Sequence, residues 1–385
     1  MNSARLADTL VHGGRPHGPS GRQVNWPVEM GSTVVFDTLD AFEAARDARY
    51  EGGTPYYGRY GNDATFSLET LLAELDCADG VTLTSSGVSA ITSALLTVAR
   101  PSMHVLVAEN LYGNTRVFCD GLLAALNVDI EPFDPLEGIG GRLRDNTCAV
   151  MAEAPGSGTF EVCDLLEISR AARQRGIPVI FDNTWASPVF CKPLALGADI
   201  VVYSGSKHLC GHSDAMLGVI AANGDYHAQV RRTVMSLGDK PGAQEVFLAL
   251  RGARTLKMRM EHQDRAGREI AAWLADQDCV ARLLHPAFDS CPGHETWKRD
   301  FTGAAALFSV IFKPVPEDRF RTFVDSLTCF GIGVSWGGFE SLVLPMTSER
   351  SRRIADGPLL RFSIGFDDLE TLKADLTQAF KLLQD

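Results

Sequence analysis

Short apolar runs alternate with amphipathic stretches through the middle of the chain. The runs of strand length are residues 81–84, 104–108, 148–152, 178–182, 199–203 and 215–221. Stretches with helical periodicity lie between them, at residues 88–99, 114–125 and 165–175. Strands that alternate with helices predict a mostly parallel sheet with helices on both faces. Functional residues of such sheets collect at the carboxyl ends of the strands.

Two further regions flank this alternating pattern. Residues 1–56 are rich in glycine, proline and polar residues, which indicates an extended arm. A charged helical segment begins at about residue 246 and precedes a mixed pattern, with apolar stretches at 304–312 and 342–345 and helices at 317–330 and 369–383. We therefore predict an N-terminal arm (1–56), a large domain (57–250) and a smaller α+β domain (251–385) that closes over the large one.

Composition and charge favour a protein that acts on small molecules. The chain has 385 residues, 45% of them hydrophobic, which is enough for one large and one smaller core. A formal net charge of −12 disfavours binding to nucleic acid or to an anionic membrane. No apolar run is long enough to cross a bilayer, and the first residues do not resemble a signal peptide.

The nine cysteines are scattered singly, without a CxxC pair. An odd number without paired spacing indicates neither a disulfide framework nor a zinc site. We therefore expect free thiols in a cytoplasmic protein. Four other potential ligands, His208, His212, Asp214 and Glu153, are interpreted as structural, and no metal site is expected.

The most informative stretch is residues 203–214, which contains a single lysine. Lys207 follows the strand at 199–203, and Asp182 closes the preceding strand at 178–182. A lysine and a carboxylate at the ends of neighbouring strands suit pyridoxal phosphate (PLP). The lysine forms a covalent imine with this cofactor, and the carboxylate keeps the ring nitrogen protonated.

A phosphate site is predicted where the first strand turns into a helix. Gly87 and Val88 follow the strand at 81–84 and open the helix at 88–99, where free N–H groups and the helix dipole favour an anion. Ser204 and Ser206 offer further donors just before Lys207, so the two clusters would have to converge. An ordinary N-cap is the alternative interpretation of residues 85–87.

Two aromatic positions are also candidates. In the run 56–62, Tyr57 and Arg59 can present a hydroxyl and a guanidinium fork to a phosphate, or they can form an aromatic turn against the core. Tyr112 follows the strand at 104–108 and could stack on a flat cofactor, although a single tyrosine is more often a core residue.

A substrate-binding residue is predicted near the C-terminus. Arg361 interrupts an apolar strand, so its charge needs an anionic partner. A substrate carboxylate would serve, and an internal ion pair is the alternative. Ser335 and Trp336 begin a loop whose following glycines permit close approach of the backbone.

These motifs together resemble one family. The chain is similar to the Cys/Met-metabolism PLP-dependent enzymes of fold type I, and among them to the bacterial cystathionine β-lyases. The similarity runs nearly from end to end, through the motifs at residues 7–14, 57–59, 181–186, 206–207, 211–216, 297–303 and 335–342. It implies an α/β fold of the PLP-dependent transferase type, with a large mostly parallel sheet flanked by helices and a smaller C-terminal α+β domain.

The resemblance also implies roles for the residues of the cofactor site. Lys207 would form the imine, Asp182 would pair with the ring nitrogen, and Tyr112 would stack on the ring. The phosphate would be held by four positions of the same chain, Gly87, Val88, Ser204 and Ser206. Tyr57 and Arg59 would complete the phosphate site of a neighbouring subunit, which implies a homotetramer built from two dimers.

For the substrate, the resemblance implies an amino-acid thioether. Arg361 would bind its α-carboxylate with help from Ser335 and the Trp336 backbone. The expected reaction is β-elimination, in which cystathionine and water give homocysteine, pyruvate and ammonia. The alternatives are a β-lyase for another cysteine S-conjugate, a cystathionine γ-synthase or γ-lyase, and a PLP-binding regulator.

Four positions depart from the common family pattern. Ser206 replaces a threonine, His208 replaces a tyrosine, and Ser157 replaces an asparagine of many γ-type members. Asn114 stands where methionine γ-lyases carry a cysteine, which argues against that activity. None of these changes removes a catalytic group.

Overall fold

The computed structural model describes residues 3–16, 23–347, 350–351 and 354–383. Its helices are α1 (Ser3–His12), α2 (Leu39–Asp47), α3 (Asp63–Asp76), α4 (Gly87–Val98), α5 (Gly113–Phe118), α6 (Leu165–Arg173), α7 (Ser187–Phe190), α8 (Asp225–Leu237), α9 (Ala243–Ala253), α10 (Leu256–Ala275), α11 (His294–Asp300), α12 (Glu317–Asp325) and α13 (Leu369–Phe380). Its strands are β1 (Gly80–Thr84), β2 (His104–Ala108), β3 (Asp129–Phe133), β4 (Thr147–Glu153), β5 (Val179–Asp182), β6 (Ile200–Ser204), β7 (Gly218–Ala222), β8 (Val280–Leu284), β9 (Leu307–Phe312), β10 (Gly331–Ile332), β11 (Leu342–Met346) and β12 (Leu359–Ser363).

A seven-stranded sheet forms the large layer, in the order β1-β7-β6-β5-β4-β2-β3. Five strands pair parallel in the spatial order β3-β2-β4-β5-β6. Strand β7 runs antiparallel to both β6 and β1. Among the inner strands, β2, β5 and β7 are buried along their whole length, which requires cover on both faces. The prediction of a mostly parallel sheet is confirmed. The carboxyl ends of β5 and β6 lie side by side at one edge.

A smaller five-stranded sheet has the order β10-β11-β12-β9-β8. Its strands pair antiparallel, except that β10 and β11 are parallel. The long helix α10 connects the two sheets in sequence and contacts β8 and β9. The loop between β10 and β11 contains residues 333–341, so this sheet brings that loop to the site. In the described chain, no helix is long and apolar enough to cross a membrane.

The predicted arm differs from the structure, because it contains two helices. In α1, Leu6 and Leu10 are buried in the main core, so an apolar face fixes this segment as a helix. Thr38 is the N-cap of helix α2, and its hydroxyl accepts the N–H of Ala41 at 3.1 Å. The average composition of the arm concealed these two short patterns. The predicted regions also include residues 1–2, 17–22, 348–349, 352–353 and 384–385, which lie outside the described residues.

Several other helices and strands have boundaries that differ from the predicted ones. The predicted helix 114–125 consists of α5 followed by a π-helical turn at Cys119–Leu123. The predicted strand 215–221 begins only at Gly218, because the Ser206 hydroxyl bonds both the N–H and the C=O of Leu217. The predicted helical segment from residue 246 is two helices, α9 and α10. Strand β3 was not predicted, since it is an edge strand that contains a proline.

A buried ion pair joins α3 to α8 beside the large sheet. Arg231 is 1% exposed, and its Nη1 donates to both carboxylate oxygens of Glu69 at 3.0 and 3.1 Å. Burial raises the pKa of Glu69, and the charge of Arg231 opposes that rise.

Replacing Arg231 by methionine is expected to lower the free energy of unfolding by about 3–5 kcal/mol, because Glu69 is left buried and uncompensated. Urea titration measures this loss. The double variant Arg231→Met/Glu69→Gln should recover part of it, and Arg232→Met, on the exposed side of the same helix, should change little. Equal stability of Arg231→Met and the wild type would contradict the role of the pair.

Candidate active site

Lys207 lies in the turn that follows β6, half-buried between the two sheets. Its Nζ donates to the Ser335 hydroxyl at 2.7 Å, which links the large layer to the loop of the smaller sheet. Burial lowers the pKa of Lys207 to about 8, and the positive charge of Arg361 contributes to this shift. The site therefore favours a neutral amine at a lower pH than free lysine would allow.

Asp182 ends β5, the strand adjacent to β6. It is 4% exposed, and its Oδ1 accepts the N–H of Thr184 at 2.8 Å and the hydroxyl of Thr184 at 2.5 Å. Burial raises the pKa of Asp182 to about 6, although the two bonds from Thr184 oppose the rise. A cation placed against this buried carboxylate would stabilise its ionised form.

The predicted phosphate donors converge at one place. A Cβ built on Gly87 would lie 2.6 Å from the Cβ of Ser204, so only glycine lets the start of α4 approach the end of β6 this closely. Ser86 is the N-cap of α4 and accepts the N–H of Ser89 at 3.1 Å. Of residues 85–87, for which an ordinary N-cap was the alternative interpretation, Ser86 is the residue that caps the helix. The N–H groups of Gly87 and Val88 lie in the first turn, where α-helical bonds leave them without a partner.

Thr184 connects this cradle to Asp182. Its Oγ1 accepts the N–H of Ser204 at 3.0 Å while it donates to Asp182. Lys207 is joined to the same strand end, since its N–H donates to the C=O of Ser204 at 3.2 Å. Lys207, Asp182 and the two phosphate clusters therefore form one contiguous group. The hydroxyl of Ser206 belongs to the group but is bonded to Leu217.

Tyr112 sits at the start of α5 with 37% of its surface exposed. Its N–H donates to Oε2 of Glu153 at 2.6 Å, and Glu153 is opposite Asp182 in the register of β4 and β5. Burial and the neighbouring Asp182 raise the pKa of Glu153 well above its usual value. The phenol accepts a hydrogen bond from the Asn114 side chain at 2.7 Å. The backbone of Tyr112 is thus held at Glu153, the strand neighbour of Asp182, and its side chain is accessible.

Arg361 lies on β12 at 9% exposure, under the loop that carries Ser335. Its Nη2 donates to the C=O groups of Gly333, Val334 and Ser335 at 3.4, 2.7 and 3.2 Å. Burial lowers the pKa of Arg361 to about 10. Among the residues that the structure describes, no acidic side chain forms an ion pair with Arg361, so the internal pair considered from the sequence is not formed there.

The rings of Trp336 and His208 pack against each other beside Lys207. The Trp336 ring centroid is 5.5 Å from Nζ of Lys207 and 5.3 Å from the ring centroid of His208. Burial lowers the pKa of His208 to about 3, so this histidine is neutral. Gly337 has φ +81°, and a Cβ there would touch His208 and Lys207 at 3.4 Å. The glycine therefore lets this loop close over Lys207.

Tyr57 and Arg59 do not join this group within one chain. Arg59 donates from Nη1 to the C=O of Met235 at 2.5 Å and from Nη2 to the Tyr60 hydroxyl at 2.9 Å. Tyr57 forms a β-bridge with Thr33 and is 43% exposed. Both residues lie on the surface formed by the arm and α8.

The group fits PLP in three respects. A glycine-based cradle and two serines can hold a phosphate, a buried carboxylate can pair with a protonated ring nitrogen, and an amine of lowered pKa lies between them. Arg361 adds a cation whose hydrogen bonds, in the described part of the chain, go to backbone carbonyl groups. The sequence analysis did not assign Thr184 or the contact between Glu153 and Tyr112. Thr184 could have been found as an Asx turn, since it lies two residues after an aspartate at a strand end.

Known proteins are similar to this chain over nearly its whole length. The model of the Cys/Met metabolism PLP-dependent enzymes matches residues 7–381. A cystathionine β-lyase of Bordetella avium is 37% identical over 388 residues, which cover 98% of each chain. A cystathionine β-lyase of Escherichia coli K12 is 35% identical over 393 residues, which cover 99% of each chain.

A solved structure shares the fold as well as the sequence. The cystathionine γ-synthase of Xanthomonas oryzae pv. oryzae, in complex with aminoacrylate and cysteine, superposes with a TM-score of 0.89 at 29% identity and covers 98% of each chain. The fold is therefore that of the PLP-dependent enzymes of fold type I, as the sequence analysis predicted. The chain belongs to the Cys/Met metabolism PLP-dependent enzyme family, and its cofactor is pyridoxal phosphate.

Proposed function

We propose that this protein is a carbon–sulfur β-lyase that converts cystathionine and water to homocysteine, pyruvate and ammonia. Two relatives of nearly full coverage carry this activity in their names. The observation that carries the proposal is the bond between Nζ of Lys207 and Ser335, directly above Arg361. It places a base of lowered pKa next to a guanidinium that can bind a carboxylate, as removal of a proton from an amino acid requires.

The cofactor would be held by the converging group. Gly87 and Val88 would donate N–H groups to the phosphate, together with the hydroxyl of Ser204 and that of Ser206, whose proton would turn away from the C=O of Leu217. Asp182 would pair with the ring nitrogen, Tyr112 would cover the ring, and Lys207 would carry the covalent link. When bound, PLP supplies a ring that accepts the electron pair left on Cα after proton removal.

Arg361 would bind and orient the substrate. Nη2 is already bonded to three carbonyl groups, so the guanidinium is fixed in direction and can offer its other N–H groups to the α-carboxylate. Ser335 and the Trp336 backbone would bound the other side of this carboxylate. A substrate held there presents its Cα–H bond towards Lys207.

Lys207 would transfer the proton. Once the substrate amine has displaced Lys207 from the covalent link, the neutral amine of Lys207 would accept the proton from Cα, and the resulting ammonium would return a proton to the sulfur that leaves Cβ. Homocysteine then departs as a thiol, and the remaining aminoacrylate reacts with water to give pyruvate and ammonia. The loop at Ser335 and Trp336 shields the amine from solvent during this transfer.

Because Lys207 acts as a neutral base with a pKa of about 8, kcat is expected to rise as the pH increases through about 8. Arg361→Met removes a positive charge that lowers this pKa, so the rise should move to higher pH. The same variant should lose roughly 10- to 150-fold in kcat/KM, since a hydrogen bond to a charged group contributes about 1.5–3 kcal/mol.

Steady-state kinetics from pH 6 to 10 test both effects. Arg282→Met, on β8 of the same sheet and bonded to the C=O of Ser290, is the matched control and should behave as the wild type. An unchanged profile and an unchanged kcat/KM in Arg361→Met would rule out the carboxylate role.

Product analysis tests the reaction itself. The purified protein is incubated with L-cystathionine, and pyruvate, 2-oxobutyrate and free thiols are measured together. Pyruvate with an equal amount of homocysteine is the expected result. 2-Oxobutyrate with cysteine would assign the chain to the γ class instead. Absence of both products in a protein that holds PLP would indicate another cysteine conjugate or a regulator.

We also propose a cytoplasmic homotetramer built from two dimers. In each dimer, Tyr57 and Arg59 of one subunit would complete the phosphate site of the other. Their position outside the group around Lys207 in one chain supports this arrangement, and the Tyr57 side chain is exposed, whereas Arg59 would exchange its bonds to Met235 and Tyr60 for the phosphate. All nine cysteines are free, which supports a reducing compartment.

A further inference from the structure

Asp239 lies at the start of α4, although it belongs to the segment that follows α8. Its two carboxylate oxygens are each 3.2 Å from the N–H of Ser85, and Oδ2 also accepts a short hydrogen bond from the hydroxyl of Ser89. Gly238, with φ +74°, ends α8 in the left-handed region and turns the chain towards α4. The position of this carboxylate is therefore fixed by two hydrogen bonds and a helix end.

These two serines flank the proposed phosphate cradle. Ser85 precedes it and Ser89 follows it, so Gly87 and Val88 lie between the two residues that Asp239 holds. Asp239 thus places a negative charge immediately outside the position proposed for a phosphate dianion. The mechanism above uses no such charge.

We propose that Asp239 is a positioning residue of the cofactor site, which orders the cradle by its hydrogen bonds and weakens phosphate binding by its charge. The inference rests on the phosphate placement proposed above. The two contributions have opposite signs. The bonds to Ser85 and Ser89 fix the first turn of α4 before the cofactor arrives, while two like charges close together repel each other.

Two cations lie near the same segment. Lys240 donates from Nζ to the C=O of Gly58 at 3.0 Å, and Arg59 donates to Met235 at 2.5 Å. Both cations are bonded to backbone carbonyls, of Gly58 and of α8, whereas Asp239 is bonded to the two serines that flank the cradle. Within this chain, the charge of Asp239 is therefore bonded directly to the residues on both sides of Gly87 and Val88.

Two substitutions separate the contributions of Asp239. Asp239→Asn keeps an oxygen for Ser85 and Ser89 but removes the charge, so PLP should bind roughly fivefold more tightly at low salt. Asp239→Ala removes both, so PLP should bind less tightly than to Asp239→Asn. The measurement is the bound fraction of cofactor, read by absorbance, after the full-length holoenzyme is dialysed against graded PLP concentrations.

Three comparisons make the result decisive. Pyridoxal, which lacks the phosphate, should bind equally to the wild type and Asp239→Asn, and the gain in PLP affinity should shrink at high salt. Asp225→Asn, at the opposite end of α8, has the same change in net charge and should leave PLP binding unchanged. An Asp239→Asn variant that binds PLP no more tightly than the wild type, or binds pyridoxal more tightly by the same factor, overturns the proposal.

A further variant distinguishes this failure from failure of the phosphate placement. Ser204→Ala should weaken PLP binding and leave pyridoxal binding unaffected. If it does so while Asp239→Asn shows no gain, only the role of Asp239 is wrong. If Ser204→Ala also leaves PLP binding unchanged, the phosphate lies elsewhere and the proposed site fails with it.

Discussion

Lys207→Ala is expected to lower the turnover of cystathionine by about 10³-fold or more. One amine is proposed to take the proton from Cα and to return it to sulfur, and general acid–base catalysis alone contributes about 10²–10⁴-fold. Arginine cannot replace this base, because a guanidinium stays protonated, so Lys207→Arg should show a similar loss. Initial rates of pyruvate formation measure both variants.

Lys192 is a suitable control for the loss of a half-buried lysine. Burial lowers its pKa as well, but its Nζ donates to the C=O of Leu75, outside the group around Asp182. Lys192→Ala should therefore keep most of the activity. Near-normal turnover by Lys207→Ala would contradict the mechanism.

Asp182→Asn is expected to lower kcat by about 200- to 5,000-fold. Removing one partner of a buried charge pair costs about 3–5 kcal/mol, and here the other partner is the cation that the ring nitrogen becomes during catalysis. The amide can still accept the two bonds from Thr184, so the fold around β5 should be retained. The loss is then attributable to charge, and kcat at saturating PLP measures it.

The matched control is Asp199→Asn, immediately before β6 and therefore at the opposite end of that strand. Asp199 accepts the N–H of Val179 at 2.8 Å, a bond that an amide oxygen can also accept. Its substitution should leave kcat within about twofold, since surface changes away from the site have small effects. A kcat of Asp182→Asn equal to that of Asp199→Asn would remove the carboxylate from the mechanism.

Local pattern is sufficient to predict that Asp182 and Lys207 lie at the carboxyl ends of neighbouring strands. Lys207 and Asp182 each follow a short apolar run, and parallel strands bring their carboxyl ends together, so their proximity is a consequence of the sheet. The cradle at Gly87 is also local, because a strand, two serines and a glycine precede the helix.

The residues that would bind the substrate could not be predicted from local sequence pattern. Arg361 and Ser335 belong to the second sheet, and their position over Lys207 depends on how the two sheets pack. The resemblance to a family implied it, but no spacing in the sequence does. Asp239 was not predicted for the same reason, since its contact with the start of α4 depends on the length of α8 and on the turn at Gly238.

The arm shows a different limit. Composition predicted an extended segment at residues 1–56, but α1 and α2 are helical because a few residues, among them Leu6 and Leu10, bury an apolar face. Short amphipathic patterns are lost when a glycine- and proline-rich region is averaged. Exposed apolar side chains on this arm include Val35 at 88% and Met30 at 81%, which agrees with the proposed contact between subunits.

The most direct test of the active site is to locate the covalent link between protein and cofactor. The holoenzyme is reduced with borohydride, which makes the link permanent, then digested, and the peptide that carries the PLP mass is identified. The account predicts one modified residue, Lys207. Modification of another lysine, such as Lys192 or Lys240, with Lys207 unmodified would contradict the site proposed here.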